Sequence, residues 1–416
     1  MSWARGSWFG AMLVAGWWVL AAGLSGAAQP LELGASSAVL VDANTGTVLF
    51  QKDMRARRPV ASTTKVMTAL VALETADLRD LATVSERATQ VRYPGLGFQA
   101  GERVSLDDLL AALLLKSSNA AAVVIAEHVA GSVEAFAERM NERARSLGAR
   151  DTHFVNPHGL HHPDHYSSAY DLALITRAAL EYPRFRQLVA QRQAAIDRPD
   201  MGERVVVENH NKLLARAPFV DGVKTGYVKE SGQCLIASGT RDGWQLVAVV
   251  LNSPDPYAES LALLDHGFGA FRQRLFARRG DAVGRARVRF GSMGSVPAVC
   301  QRTVSQVLGP GLPPAGRLEV TMGRASAPVE AGQEVGQAKL VVAGRVVASA
   351  PLVAAQQVPR SRLVVALGWV ARLVAVLALV AIGIRTGAKV VKGRRRRRGR
   401  LAAQSGSPGE IGPGPG

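Results

Sequence analysis

Ser62 and Lys65 stand three residues apart in Val60-Ala61-Ser62-Thr63-Thr64-Lys65-Val66-Met67-Thr68-Ala69-Leu70, at the head of an apolar run. On a helix that spacing places a hydroxyl and an amine on one face. A neutral amine there can take the proton that a weak serine nucleophile must lose before it attacks a carbonyl carbon. Alone the pattern is cheap, because average composition supplies a Ser-x-x-Lys roughly once in a chain of this length. Two later segments give it weight: Ser117-Ser118-Asn119 inside a second apolar run, and Lys224-Thr225-Gly226 after Phe219-Val220-Asp221-Gly222-Val223. For Lys65 to act as a base, its pKa of about 10.4 has to fall by up to a few units, through desolvation and a nearby like charge. Lys224 can supply that charge. Taken singly, each residue has a plainer use: Ser62 or Asn119 as a helix cap, the two lysines as solvated surface charges.

Ser-x-x-Lys, Ser-x-Asn and Lys-Thr-Gly, in that order, are the signature of penicillin-interacting serine enzymes. Among these the chain resembles the D-alanyl-D-alanine carboxypeptidases, the low-molecular-mass penicillin-binding proteins that trim bacterial peptidoglycan. The resemblance starts near Ala38-Val39-Leu40-Val41-Asp42-Ala43-Asn44-Thr45-Gly46. It runs through Asn156-Pro157-His158-Gly159-Leu160, Asn209-His210-Asn211-Lys212-Leu213-Leu214 and Leu263-Leu264-Asp265-His266-Gly267-Phe268, then more faintly to about residue 358.

The resemblance implies acyl transfer through an ester on Ser62, with Lys65 as proton acceptor and Ser117 as proton relay to the leaving amine. It implies that Asn119 holds the substrate amide and fixes Lys65. Lys224 and Thr225 would bind the terminal carboxylate, and Gly226 would let an extended substrate lie close. The oxyanion would take backbone N–H groups from Ser62 and Tyr227. No metal or organic cofactor is required. Two positions depart from the family pattern: Ala120 follows Asn119 where relatives usually place Asp, and Pro256-Tyr257 stands where many carry an arginine.

His158, His161, His162 and His165 are the residues from which a metal site would be built. No cysteine or paired-carboxylate motif accompanies them, and the resemblance implies that Asn156 to Asp171 is a loop near the site. Two other functions stay open. A β-lactamase needs a positioned glutamate for rapid deacylation, and no such motif stands between Asn119 and Lys224. A penicillin-binding wall sensor or scaffold without turnover is the other, and the intact motifs argue against it.

The 416 residues, 48% hydrophobic, allow two globular domains plus membrane segments. Residues 1–28 read as a secretory signal: Arg5, then the apolar Ala11 to Leu24, then small residues. An uncleaved first span is the alternative. Leu363 to Ile384 form an apolar run whose only charge is Arg372, long enough to cross a bilayer. The arginine costs about 2.5–3.5 kcal/mol on insertion scales, offset by the surrounding Leu, Val and Ile. An amphipathic surface anchor would need a polar face, which this run hardly has. Arg385, Lys389, Lys392, Arg394 through Arg398 and Arg400 follow; with Glu410 they account for +8 of the net +17. Beside a span, such charges mark the cytoplasmic side rather than a nucleic-acid site. The Gly- and Pro-rich residues 405–416 read as disordered. Two cysteines, Cys234 and Cys300, do not make a disulfide framework.

Val39-Leu40-Val41 and Val48-Leu49-Phe50 predict a hairpin, and helical signals follow at Lys65 to Glu74, Leu109 to Leu115 behind a Ser105–Asp108 capping box, and Ala120 to Val129. Strands return at Gln233 to Ser238 and Trp244 to Leu251, and Ser260 to Phe271 closes as a helix. Strands first and last with helices between predict an antiparallel sheet carrying a helical cluster, which the resemblance makes a β-lactamase-like α/β transpeptidase domain. Beyond Gly280 short Val-rich runs predict a small all-β domain. The expected organisation is signal 1–28, catalytic domain 29–275, β-rich domain 276–358, transmembrane helix 363–384 and basic cytoplasmic tail 385–416. Expected partners are peptidoglycan pentapeptide stems, β-lactams and the membrane, with no nucleic acid.

Overall fold

The computed structural model describes residues 31–91 and 95–404. The expected signal segment and the Gly- and Pro-rich end, 405–416, fall outside the described residues. The chain divides into two units at Arg272/Gln273.

In the first unit the hairpin forms from β1 (Ser37–Asp42) and β2 (Val48–Lys52). Asp42 fastens its turn, Oδ1 accepting from the Thr45 N–H and hydroxyl at 2.6 Å each. β3 (Val220–Val228), β4 (Gly232–Arg241) and β5 (Trp244–Ser253) come from the other end of the unit. β5 pairs antiparallel with both β1 and β4, giving the order β2-β1-β5-β4-β3. The sheet is completed by both ends of the unit, as the strand positions in the sequence predict.

Besides a single turn at Glu86–Gln90, the helices between are α1 (Lys65–Thr75), α2 (Leu106–Leu114), α3 (Asn119–Ala130), α4 (Val133–Ser146), α5 (Ala169–Leu180), α6 (Pro183–Ala190) and the short α7 (Leu213–Arg216). α8 (Pro256–Ala270) closes the unit. Serines start four of them. Ser105 Oγ accepts from Asp108 N at 3.1 Å, an N-cap bond, and donates to Asp108 Oδ2 at 2.6 Å, so the carboxylate meets the serine hydroxyl rather than the Ser105 backbone N–H of the predicted capping box. Ser118, Ser132 and Ser168 cap α3, α4 and α5 in the same sense. Residues 65–72 of α1 are all buried, so this helix has core on every side. Lys65 therefore begins in an apolar environment.

The second unit holds β6 (Ala282–Arg289), β7 (Ser295–Cys300), β8 (Arg317–Met322), β9 (Arg324–Ser326), β10 (Glu334–Val342) and β11 (Arg345–Ala354). They form one sheet, β8-β10-β11-β7-β6-β9. Its core includes Ala286, Val288, Val296, Ala298, Val335 and Leu352, supplied by every second residue. α9 (Arg362–Gln404) follows, 43 residues long. At 1.5 Å per residue it extends about 64 Å, roughly twice a bilayer's hydrocarbon core. The helix thus outruns the predicted 363–384 span, because lysine and arginine are good helix formers and carry it on through the basic stretch. Cys234 and Cys300, one in each unit, are free and buried.

Candidate active site

Ser62 lies in a 3₁₀ turn, Ala61–Thr64, that runs directly into α1. Neither helical start carries a side-chain cap bond, so the hydroxyl is not a helix cap. Ala61, just before it, sits at φ +47°, a left-handed conformation that costs an alanine about 1–3 kcal/mol. Neighbouring contacts hold the turn. Gly159, at φ +85°, lies so close that a Cβ there would be 1.9 Å from the Ala61 carbonyl oxygen. Thr68 Oγ1 donates to Pro157 O at 2.5 Å. His165 Nδ1 accepts from Val155 N at 3.1 Å, which leaves the ring proton on Nε2 to donate to Thr64 Oγ1 at 2.8 Å.

Lys65 is fully buried. Its Nζ reaches Ser62 Oγ at 2.9 Å, Asn119 Oδ1 at 2.7 Å and the His158 carbonyl oxygen at 2.7 Å. The last two can only accept. A neutral amine has two hydrogens and one lone pair, so it donates to Asn119 and His158 and turns the lone pair to the Ser62 hydroxyl. Burial first, and then the positive Lys224, hold its pKa well below the ordinary lysine value. Lys224, 1% exposed, is itself pushed down to about 7 by burial. The positive charge that Lys224 can supply is therefore conditional, because at neutral pH it is easily lost until an anion arrives.

Ser62, Ser117, Thr225, Gly226 and Tyr227 line one cavity of about 270 Å³, together with His210 and Tyr257. Ser117 stands between α2 and α3 at φ +62°. Ser118 caps α3 beside it, so Asn119 enters the first helical turn with its amide toward Lys65. A Cβ on Gly226 would come to 3.1 Å from Ser62 N, Thr63 N and Val60 O, so glycine lets β3 touch the Ser62 turn. Tyr227 is 67% exposed. Burial and Lys224 hold His210 down to about 4, and burial and Lys65 hold His158 at about 3; both are neutral at pH 7.

A sequence profile of the D-alanyl-D-alanine carboxypeptidases matches residues 25–255. This chain belongs to that family of serine peptidases. A second profile, described as the C-terminal domain of penicillin-binding protein 5, matches residues 271–360. The D-alanyl-D-alanine carboxypeptidase DacF of Bacillus subtilis is 32% identical over 324 residues, covering 76% of this chain and 83% of the relative. The carboxypeptidase DacD of Escherichia coli is 32% identical over 338 residues, covering 77% and 86%. Among solved structures, penicillin-binding protein 5 from Haemophilus influenzae matches with a TM-score of 0.60 at 28% identity, over 80% of this chain and 99% of that one.

Three parts of the site escape a residue-by-residue reading of the sequence: the His158 carbonyl, the left-handed Ala61 and the Gly159 approach. The segment Asn156 to Gly159 carries the family resemblance, and Asn156 Oδ1 shapes it by accepting from His158 and Gly159 N–H groups. Three of the histidines considered for a metal make local bonds: His158 Nδ1 accepts from Leu160 N and His162 Nδ1 from Asp164 N, each at 3.1 Å, and His165 is bonded through both ring nitrogens. At Pro256-Tyr257, where the resemblance leads one to expect an arginine, Tyr257 is the second residue of α8, and the Arg216 guanidinium stacks 5.1 Å from its ring centroid.

Proposed function

We propose that this carboxypeptidase releases the terminal D-alanine of peptidoglycan pentapeptide stems through an acyl-Ser62 intermediate, and that β-lactams acylate the same hydroxyl. Lys65 Nζ takes the Ser62 proton while Oγ attacks the penultimate D-alanine carbonyl carbon. The oxyanion accepts backbone N–H bonds from Ser62 and Tyr227; one such donor contributes about 2.7–4 kcal/mol. Ser117 passes a proton to the departing amine as the C–N bond breaks, and water then hydrolyses the ester. Asn119 orients the substrate amide. Lys224 and the Thr225 hydroxyl take the terminal carboxylate, whose charge pulls the Lys224 pKa back up.

The observation that carries this reading is Lys65, wholly buried and bonded at once to Ser62, Asn119 and a carbonyl. The domain limits proposed are 29–275 for the catalytic part and 276–358 for the β-rich part. The apolar α9 anchors the chain in the membrane through residues 363–384. We place the enzyme outside the cytoplasm and 385–416 inside, with no nucleic-acid role. The test uses the detergent-solubilised full chain. It should release D-alanine from a diacetyl-Lys-D-Ala-D-Ala peptide and bind labelled penicillin covalently, and Ser62→Ala should lose both. Penicillin labelling without D-alanine release would overturn turnover in favour of a sensor.

A further inference from the structure

Residues 273–360 carry eleven arginines and one lysine against one aspartate and three glutamates. The excess is concentrated at one edge of the sheet. Arg285, Arg287 and Arg289 alternate with the inward Ala286 and Val288 along β6, so all three stand on the solvent face. The edge strand β9 pairs with β6 in parallel, setting Arg324 directly opposite Arg287. Like charges opposite one another destabilise a sheet. β6, β7 and β9 contain no acidic residue, and no carboxylate among the described residues forms an ion pair with these four arginines.

The charged edge is tied by backbone bonds to the foot of α9. Ser361 N donates to Phe290 O at 2.8 Å, and Ser292 N to Pro359 O at 2.8 Å. Gly291 bridges to Arg360, and Arg360 Nε donates to Ala327 O at 3.2 Å. Phe290 follows Arg289 and is 61% exposed, and Met293 in the same turn is also exposed. An aromatic ring flanked by arginines, one backbone bond from the start of an apolar helix, fits the headgroup zone of a bilayer, where rings and cations collect.

We propose that this edge of the β unit rests on the membrane, with Arg287, Arg289, Arg324 and Arg360 against anionic phospholipid headgroups and Phe290 in the interfacial zone. The inference rests on α9 crossing the bilayer, and its test separates the two. The full chain is reconstituted in nanodiscs of phosphatidylcholine alone or with phosphatidylglycerol, and a fluorophore is placed on Met293→Cys; Cys234 and Cys300 are buried. Brominated lipids should quench the probe in phosphatidylglycerol discs several-fold more than in phosphatidylcholine discs, and high salt should remove the difference. Arg287→Glu with Arg289→Glu and Arg324→Glu should abolish it while D-alanine release from a soluble peptide continues. Equal quenching in both discs would overturn the proposal. So would protection by soluble poly(glycerol phosphate), which would assign the face to a phosphate-bearing wall polymer instead. If α9 does not insert, the protein fails to enter discs of either composition, a result distinct from equal quenching.

Discussion

A lysine ammonium has three hydrogens, and Lys65 meets three oxygens, so the geometry suits either protonation state. What selects the neutral one is first the cost of burying any charge there, and then the repulsion of the positive Lys224. The same two lysines set the pH dependence. Both lie below the ordinary lysine range, Lys65 well below it and Lys224 at about 7 in the empty cleft. Activity needs Lys65 without its proton and Lys224 with its own, so the profile is a bell. Because kcat/KM reports the free enzyme and kcat the complex, the alkaline limb of kcat/KM should fall well below pH 10 and move upward in kcat, where the substrate carboxylate shields Lys224. A peptide ending in an amide should lose that upward movement. Steady-state rates from pH 5 to 11 on both peptides read this directly, and an alkaline limb at the same pH in both parameters would remove Lys224 from the carboxylate site.

At the scale of elements, the sequence was legible where chemistry is local. The Ser62–Lys65 spacing, the Ser105–Asp108 cap, the hairpin around Asn44-Thr45-Gly46 and the alternation in β6 each declare themselves within a few residues. What escaped was non-local or carried by backbone. A carbonyl such as that of His158 has no residue-type signature, and an alanine at φ +47° looks like any other alanine. The hairpin Gln193–Arg198 with Glu203–Glu208 is non-local in the same way, since its anchor joins residues 96 apart. Arg198 inserts between its own hairpin and Glu102, meeting that carboxylate at 2.7 and 2.8 Å with both side chains buried. Removing one partner of a buried pair leaves a charge without compensation, at a cost of about 3–5 kcal/mol. Arg198→Met should therefore lower the stability of the catalytic unit by about that amount in denaturant unfolding, and pairing it with Glu102→Leu should recover much of the loss. A double variant no more stable than Arg198→Met would mean the pair is not the hairpin's fastening.

For the whole molecule, the deciding quantity is the distribution of charge about α9. Arg360 and Arg362 border its start, while nine lysines and arginines follow within Arg385 to Arg400. The lone arginine inside the apolar stretch, Arg372, lies 5.6 Å from the Trp369 ring centroid, a contact that eases a cost of about 2.5–3.5 kcal/mol on insertion scales. Charge bias near the ends of a span fixes its orientation, and the orientation proposed on that ground puts the end rich in arginine in the cytoplasm and the serine peptidase outside. Single cysteines test this against a quiet background, because Cys234 and Cys300 are buried. In spheroplasts a membrane-impermeant maleimide should label Gln356→Cys at once and Ala402→Cys only after lysis. Replacing Arg394 through Arg398 with alanine removes five of the nine retaining charges, so a measurable fraction of Ala402→Cys should then label from outside. Labelling of Ala402→Cys in intact spheroplasts without that change would invert the topology and place Ser62 on the wrong side of the membrane for its substrate.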